Sequence, residues 1–161
     1  MRDEARNTDS PTVVLVHGAF ADASSWNGVV ERLLARGIKV TAPANPLRGI
    51  SIDSAYIASV LEQTQGPVLA VGHSYGGAVI SNAATDAKNV VGLVYVAAFA
   101  TEEGENLGDV ESDSKDSVLS SALVPLHYPA ASGEDPAVEF AIDPAKFHDA
   151  SRPICRSSRR R

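Results

Sequence analysis

Cysteine occurs once in the 161 residues, as Cys155, which excludes an internal disulfide and argues against a cysteine-based metal site. No apolar run approaches the ~20 residues that a membrane span needs. The first ten residues, Met1 to Ser10, are polar and lack the apolar centre of a signal peptide, so they read as a disordered N-terminus of a cytoplasmic protein that does not engage membranes. No segment repeats itself. An excess of positive charge is missing too: the net charge is −6, and five arginines in the last eleven residues leave the first 150 at −11. So acidic a body argues against nucleic acid as a partner. The basic tail is too short to change this, having neither helical periodicity nor interleaved aromatics.

What remains is an ordinary globular composition, 44% hydrophobic and 21% charged, at a length suited to a single domain. Pro11-Thr12-Val13-Val14-Leu15-Val16 reads as a buried parallel strand. Trp26, Val29, Val30, Leu33 and Leu34 then fall at i, i+3, i+4, i+7 and i+8, the stripe of a helix packed on a sheet, with Gly37 as its cap. Ile38 to Ala42 reads as a short strand closed by the turn-rich Pro43-Ala44-Asn45-Pro46. A helix is expected from about Ile52 to Gln63, pairing Tyr56 with Val60 and Ile57 with Leu61, before a stop at Gly66-Pro67. A strand at Val68 to Val71, a helix from about Gly76 to Ala84, and a strand at Val90 to Val96 follow. Strands alternating with helices imply right-handed crossovers and a doubly wound, mostly parallel α/β sheet. Substrate is then expected at the carboxyl ends of the strands, near His17, Ser74 and Ala97-Ala98-Phe99.

Two motifs lie on that edge. Gly72-His73-Ser74-Tyr75-Gly76-Gly77 places a Gly-x-Ser-x-Gly where a strand turns sharply into a helix. The chemistry needs small residues here, because Cβ atoms at Gly72 and Gly76 would collide with the crossing backbone. Such a turn exposes the Ser74 hydroxyl and aims the free N–H groups of the next helix at charge developing beside it. The second motif, His17-Gly18-Ala19-Phe20, follows the first strand directly.

Together these motifs resemble the α/β-hydrolase fold, in its esterase and hydroxynitrile-lyase-like branch, where a His-Gly-Ala loop precedes a helix opening with Trp, as Ser24-Ser25-Trp26 does here. The resemblance runs from about Pro11 to about Asp149. It implies that residues 11–100 are the N-terminal part of a hydrolase domain and 101–150 part of a cap that sets substrate size and excludes water. It also implies Ser74 as nucleophile, with the backbone N–H groups of Ala19 and Tyr75 as the oxyanion hole. No cofactor or metal is implied, and the expected partner is a small-molecule substrate.

In the family the acid and the histidine of the triad follow later strands, and the chain ends before any appear; its last eleven residues do not resemble the family. The expectation is therefore a truncated or frameshifted hydrolase that lacks its C-terminal strands and is impaired by loss of the acid and base. His17 and His73 read as scaffold histidines belonging to the motifs. His127 and His148, with Asp143 or Asp149, are the remaining candidates for a base and its orienting acid. The Val-rich strand at Val90 to Val96 is expected to expose an edge and promote self-association.

The expected function is a serine hydrolase acting on a small ester or acyl substrate. A serine in place of an aspartate argues against epoxide hydrolases and haloalkane dehalogenases. Carbon–carbon lyase chemistry, a non-catalytic ligand-binding homologue and a non-functional product remain as alternatives.

Overall fold

A computed structural model of the chain describes residues 10–112, 117–130 and 135–150. The N-terminal segment for which disorder is expected, except Ser10, and the basic tail with Cys155 fall outside the described residues. Two compact units divide after Glu103.

The first unit is built on four parallel strands, β1 (Thr12–Val16), β2 (Val40–Thr41), β3 (Val68–Ser74) and β4 (Val90–Ala98), in the order β2-β1-β3-β4. Between them run α1 (Asn27–Leu34), α2 (Ile50–Gln63) and α3 (Tyr75–Ala83). Because strand side chains alternate between faces, β1 serves two cores. Val14 and Val16 join Ile57, Leu61, Val79 and Ile80 on the α2/α3 face, while Val13 and Leu15 join Trp26, Val30 and Leu33 on the α1 face. Strands β1 and β3 are thus covered on both sides, as the β–α alternation requires, whereas β4 at the sheet edge has no buried residue.

Several boundaries differ from those the sequence suggests. The strand expected at Ile38 to Ala42 narrows to Val40–Thr41, which lies at a sheet edge and is followed two residues on by Pro43, a residue without an N–H to continue a ladder. The face that packs on the sheet is the buried Trp26, just before α1, with the partly buried Val30 and Leu33. Val29 and Leu34 flank it and stay exposed, Leu34 at 57%. Gly37 ends the helix as expected: at φ +71° it lets the Ile38 N–H reach the Leu33 carbonyl and its own N–H reach that of Leu34. Helix α2 begins two residues earlier than periodicity suggests and turns Tyr56 outward. Its buried face is Asp53, Ser54, Ile57, Ala58 and Leu61. Strands β3 and β4 both run further, β3 as far as Ser74 itself.

The second unit contains α4 (Leu107–Ser112), α5 (Leu119–Ala122), an antiparallel pair β5 (Leu123–Tyr128) and β6 (Ala137–Ile142), and α6 (Phe147–Ala150). The Asp143 N–H closes the pair onto the Ala122 carbonyl at 2.8 Å.

Candidate functional site

At the carboxyl end of β3 the backbone passes from strand to helix in one residue. Ser74 is the last residue of β3 and Tyr75 the first of α3, and Ser74 takes φ 52°, ψ −124°, a conformation that costs a residue with a Cβ on the order of 1–3 kcal/mol. The glycines around it show why the turn can form. A Cβ on Gly72 would run into the backbone of Gly76 and Gly77, and one on Gly76 would lie 2.5 Å from the Val16 carbonyl oxygen. A Cβ on Gly77 would likewise lie 2.5 Å from the carbonyl oxygen of Phe99, just past the end of β4. Opposite the turn β4 bulges, with Ala97 at φ 42°, and the Phe99 N–H donates to the Ser74 carbonyl at 3.1 Å.

The loop after β1 packs directly on this turn. A Cβ on Gly18 would lie 2.8 Å from Ser74 Cβ and 2.9 Å from the His73 carbonyl oxygen, so the chain passes beside Ser74 only because residue 18 is glycine. Phe20, next to Ala19, is also held in the left-handed region at φ 61°. Beyond it Asp22 caps a short 3-10 turn by accepting from the Ser24 N–H at 2.7 Å, which delivers Trp26 to the core. Its ring meets that of His73 edge-on, with centroids 6.3 Å apart. Desolvation there lowers the His73 pKa below the usual histidine value.

His17 is buried and committed on both ring nitrogens. Nε2 accepts from the Asn45 N–H at 2.9 Å, so Nδ1 carries the proton and donates to the Gly18 carbonyl at 2.9 Å. Asn45 adds a second bond, from Nδ2 to the His17 carbonyl at 3.2 Å. Asn45 and Asp53 are the two polar residues at this site that the sequence reading left out. Asp53 is fully buried, accepting from the Arg48 N–H at 2.9 Å and from the Tyr75 hydroxyl at 2.7 Å. Burial, the hydrogen bond to Asp53 and the charge of that carboxylate all push the Tyr75 phenol well above its ordinary pKa. A signal for Asp53 existed: it stands at i, i+4, i+8 with Ile57 and Leu61, an acid on the apolar stripe of a helix.

The structure thus brings His17 and Gly18 against His73, Ser74 and Gly76 of the Gly72–Gly77 turn. It separates other candidates. His127 lies on β5 opposite Val138, whereas Asp143 follows the Leu123–Ile142 end of the pair, on the order of 15 Å away along the strands. The Asp143 carboxylate caps the turn before α6 by accepting from the Ala145 N–H at 2.9 Å, so it does not orient His127. His148 is on α6. Among the described residues no group of three or more His, Cys, Asp or Glu side chains could hold a metal ion, and no helix is long and apolar enough to cross a membrane.

A hydroxyl raised on a strained strand-to-helix turn, beside a glycine-bearing loop from the first strand, at the carboxyl edge of a parallel sheet, defines an α/β-hydrolase architecture. Sequence comparison agrees: the model of the alpha/beta hydrolase family matches residues 13–159, and the chain belongs to that family. It is 32% identical over 104 residues to a pyrethroid hydrolase from Sphingobium wenxiniae, a match covering 57% of this chain and 37% of that protein. Among solved structures, a pyrethroid hydrolase from Sphingobium faniae superposes with a TM-score of 0.52 at 31% identity, over 60% of this chain and 43% of that one. An extracellular alpha/beta-hydrolase from a Paenibacillus species gives a TM-score of 0.57 at 25% identity, over 62% and 45%. Tomato methylketone synthase I, at 19% identity and a TM-score of 0.65 over 86% and 59%, shares the fold. The chain spans less than half the length of the pyrethroid hydrolases it matches.

Proposed function

We propose that this chain carries the nucleophile and the oxyanion hole of an esterase-like serine hydrolase acting on a small ester or related acyl substrate. The observation that carries this reading is the backbone of Ser74, a non-glycine residue held at φ 52° between β3 and α3 with glycine loops packed around it. Strain of this kind persists where surrounding structure enforces it and concentrates at functional sites. Ser74 Oγ attacks the acyl carbon, and the carbonyl oxygen becomes an oxyanion met by the N–H groups of Tyr75 and Ala19. Its collapse breaks the bond to the alcohol, which leaves with the proton that Ser74 gave up. As the first residue of α3, Tyr75 has an N–H with no partner inside the helix, at the positive end of the helix dipole. The two pyrethroid hydrolases similar to this chain support hydrolysis of an ester as the reaction.

The base that takes the Ser74 proton is not His17, whose Nε2 already accepts from Asn45 and whose Nδ1 donates to Gly18. Nor does His73 suit that part, since its ring packs on Trp26 and successive strand side chains face opposite ways. These are the histidines of the first unit. Attack by Ser74 without an assigned base is expected to be slow, sustained by the oxyanion hole and by binding.

A p-nitrophenyl ester of a short acid tests the reading. Slow release of nitrophenolate, reaching one equivalent per chain and abolished in Ser74→Ala, is expected. Release of equal extent in Ser74→Ala would refute Ser74 as the nucleophile.

A further inference from the structure

The segment joining β2 to α2 touches both halves of the oxyanion site. At one end Asn45 binds the ring and the carbonyl of His17, which begins the loop carrying Ala19. At the other, Asp53 takes the Arg48 N–H on one oxygen and the Tyr75 hydroxyl on the other. Between these points Leu47 sits at φ 56° and Gly49 at φ 114°, so the segment is held in a shape that a free chain would avoid.

Asp53 is costly where it stands. Its side chain is fully buried on the stripe that also carries Ile57 and Leu61, a place where an apolar residue would pack without desolvating a charge. The first turn of α2 offsets part of that cost through the helix dipole. The remaining compensation comes from two donors, one of which is the residue following Ser74. Helix α3 starts without a side-chain cap, and its first residue is tethered to α2 through the Tyr75 hydroxyl.

We propose that Asp53 is a positioning residue of the oxyanion site, holding Tyr75, and with it the elbow N–H, through the bond to the Tyr75 hydroxyl. The inference rests on the reading of Ser74 as nucleophile. Asp53 touches neither substrate nor reacting atoms; it acts through Tyr75. The other end of the same segment, Asn45, holds the loop that supplies the second donor.

The test is a double-mutant cycle on the full chain, with Asp53→Asn, Tyr75→Phe and the double variant, read as the rate of Ser74 phosphonylation by a fluorophosphonate. As Ser74 Oγ bonds to phosphorus and fluoride leaves, the phosphoryl oxygen gathers negative charge in the transition state where the tetrahedral oxyanion would sit. Each single variant is expected to slow labelling by about tenfold, the scale of a modest misplacement of reacting groups. The double variant should label no more slowly than the slower single one, because both remove one connection. A spectroscopic readout accompanies it: in the wild type one phenol stays un-ionised above the ~10 of a free tyrosine, and Asp53→Asn should bring that phenol's ionisation down.

If Asp53→Asn does not fold, Tyr75→Phe, which keeps the ring and the backbone N–H, decides alone. Folded variants that label at the wild-type rate would overturn the inference and leave the nucleophile reading intact. Wild-type protein that does not label at Ser74 would overturn both.

Discussion

The Tyr75 hydroxyl donates a 2.7 Å hydrogen bond to Asp53 Oδ2, linking the residue after Ser74 to the buried first turn of a helix 22 residues earlier in the chain. The bond gives the fold a pH dependence whose sign is fixed. Burial and the neighbouring carboxylate raise the Tyr75 pKa in the folded state, so above ~10 the unfolded chain releases a proton that the folded chain retains. The stabilisation is complete below that pH and is lost as pH rises toward the folded-state value. Denaturation midpoints measured across the alkaline range should therefore fall more steeply for the wild type than for Tyr75→Phe. Parallel curves would show that Tyr75 is not held by Asp53.

Strain at Ser74 makes a second expectation. Ser74→Gly removes the Cβ from a left-handed backbone and should raise unfolding stability relative to Ser74→Ala by about 1 kcal/mol, measured by chemical denaturation. The alanine variant keeps the Cβ and with it the strain. Equal stability of the two would mean that the turn is relaxed.

Gly76 tests the packing of the turn. A methyl group there would press on the Val16 and His17 carbonyl oxygens, at 2.5 and 2.9 Å, and backbone cannot move aside as a side-chain tip can. Gly76→Ala should cost on the order of 1–3 kcal/mol and abolish phosphonylation of Ser74 as β1 and α3 are forced apart. A stable, reactive Gly76→Ala protein would contradict the close approach described for this loop.

How much of this could be read from the chain follows its physics. Strands β1 and β3 are near-continuous apolar runs because the sheet is covered on both faces there, β4 continues the same pattern at the exposed edge, and both motifs announce themselves through glycines that backbone approach requires. Gly18, Gly72 and Gly76 show that requirement directly. Asn45 escaped because Pro43-Ala44-Asn45-Pro46 reads as a turn, and no local pattern says that the turn closes over His17. Asp53 escaped because charge ordinarily marks the solvated face of a helix, and its partner Tyr75 is remote in sequence. The β5–β6 pair was hidden for another reason: apolar side chains fall on both faces, and Pro125 interrupts what would otherwise read as a strand.

Strand β4 closes one edge of the four-stranded sheet, and its nine residues carry no charge and no proline to blunt it, while Val91 is 64% exposed. Such an edge pairs readily with another strand. Sedimentation velocity over a concentration series should show reversible association, reduced in Val91→Lys. A monomer at all concentrations, or association that Val91→Lys leaves unchanged, would place the contact elsewhere or remove it.

The most direct measurement is intact-mass and peptide mapping of the full chain after exposure to a fluorophosphonate. One adduct per chain on the peptide containing Ser74, absent from Ser74→Ala, is the expected result. Either no adduct, or an adduct of equal extent in Ser74→Ala, would mean that the strained turn at the end of β3 does not present a nucleophile.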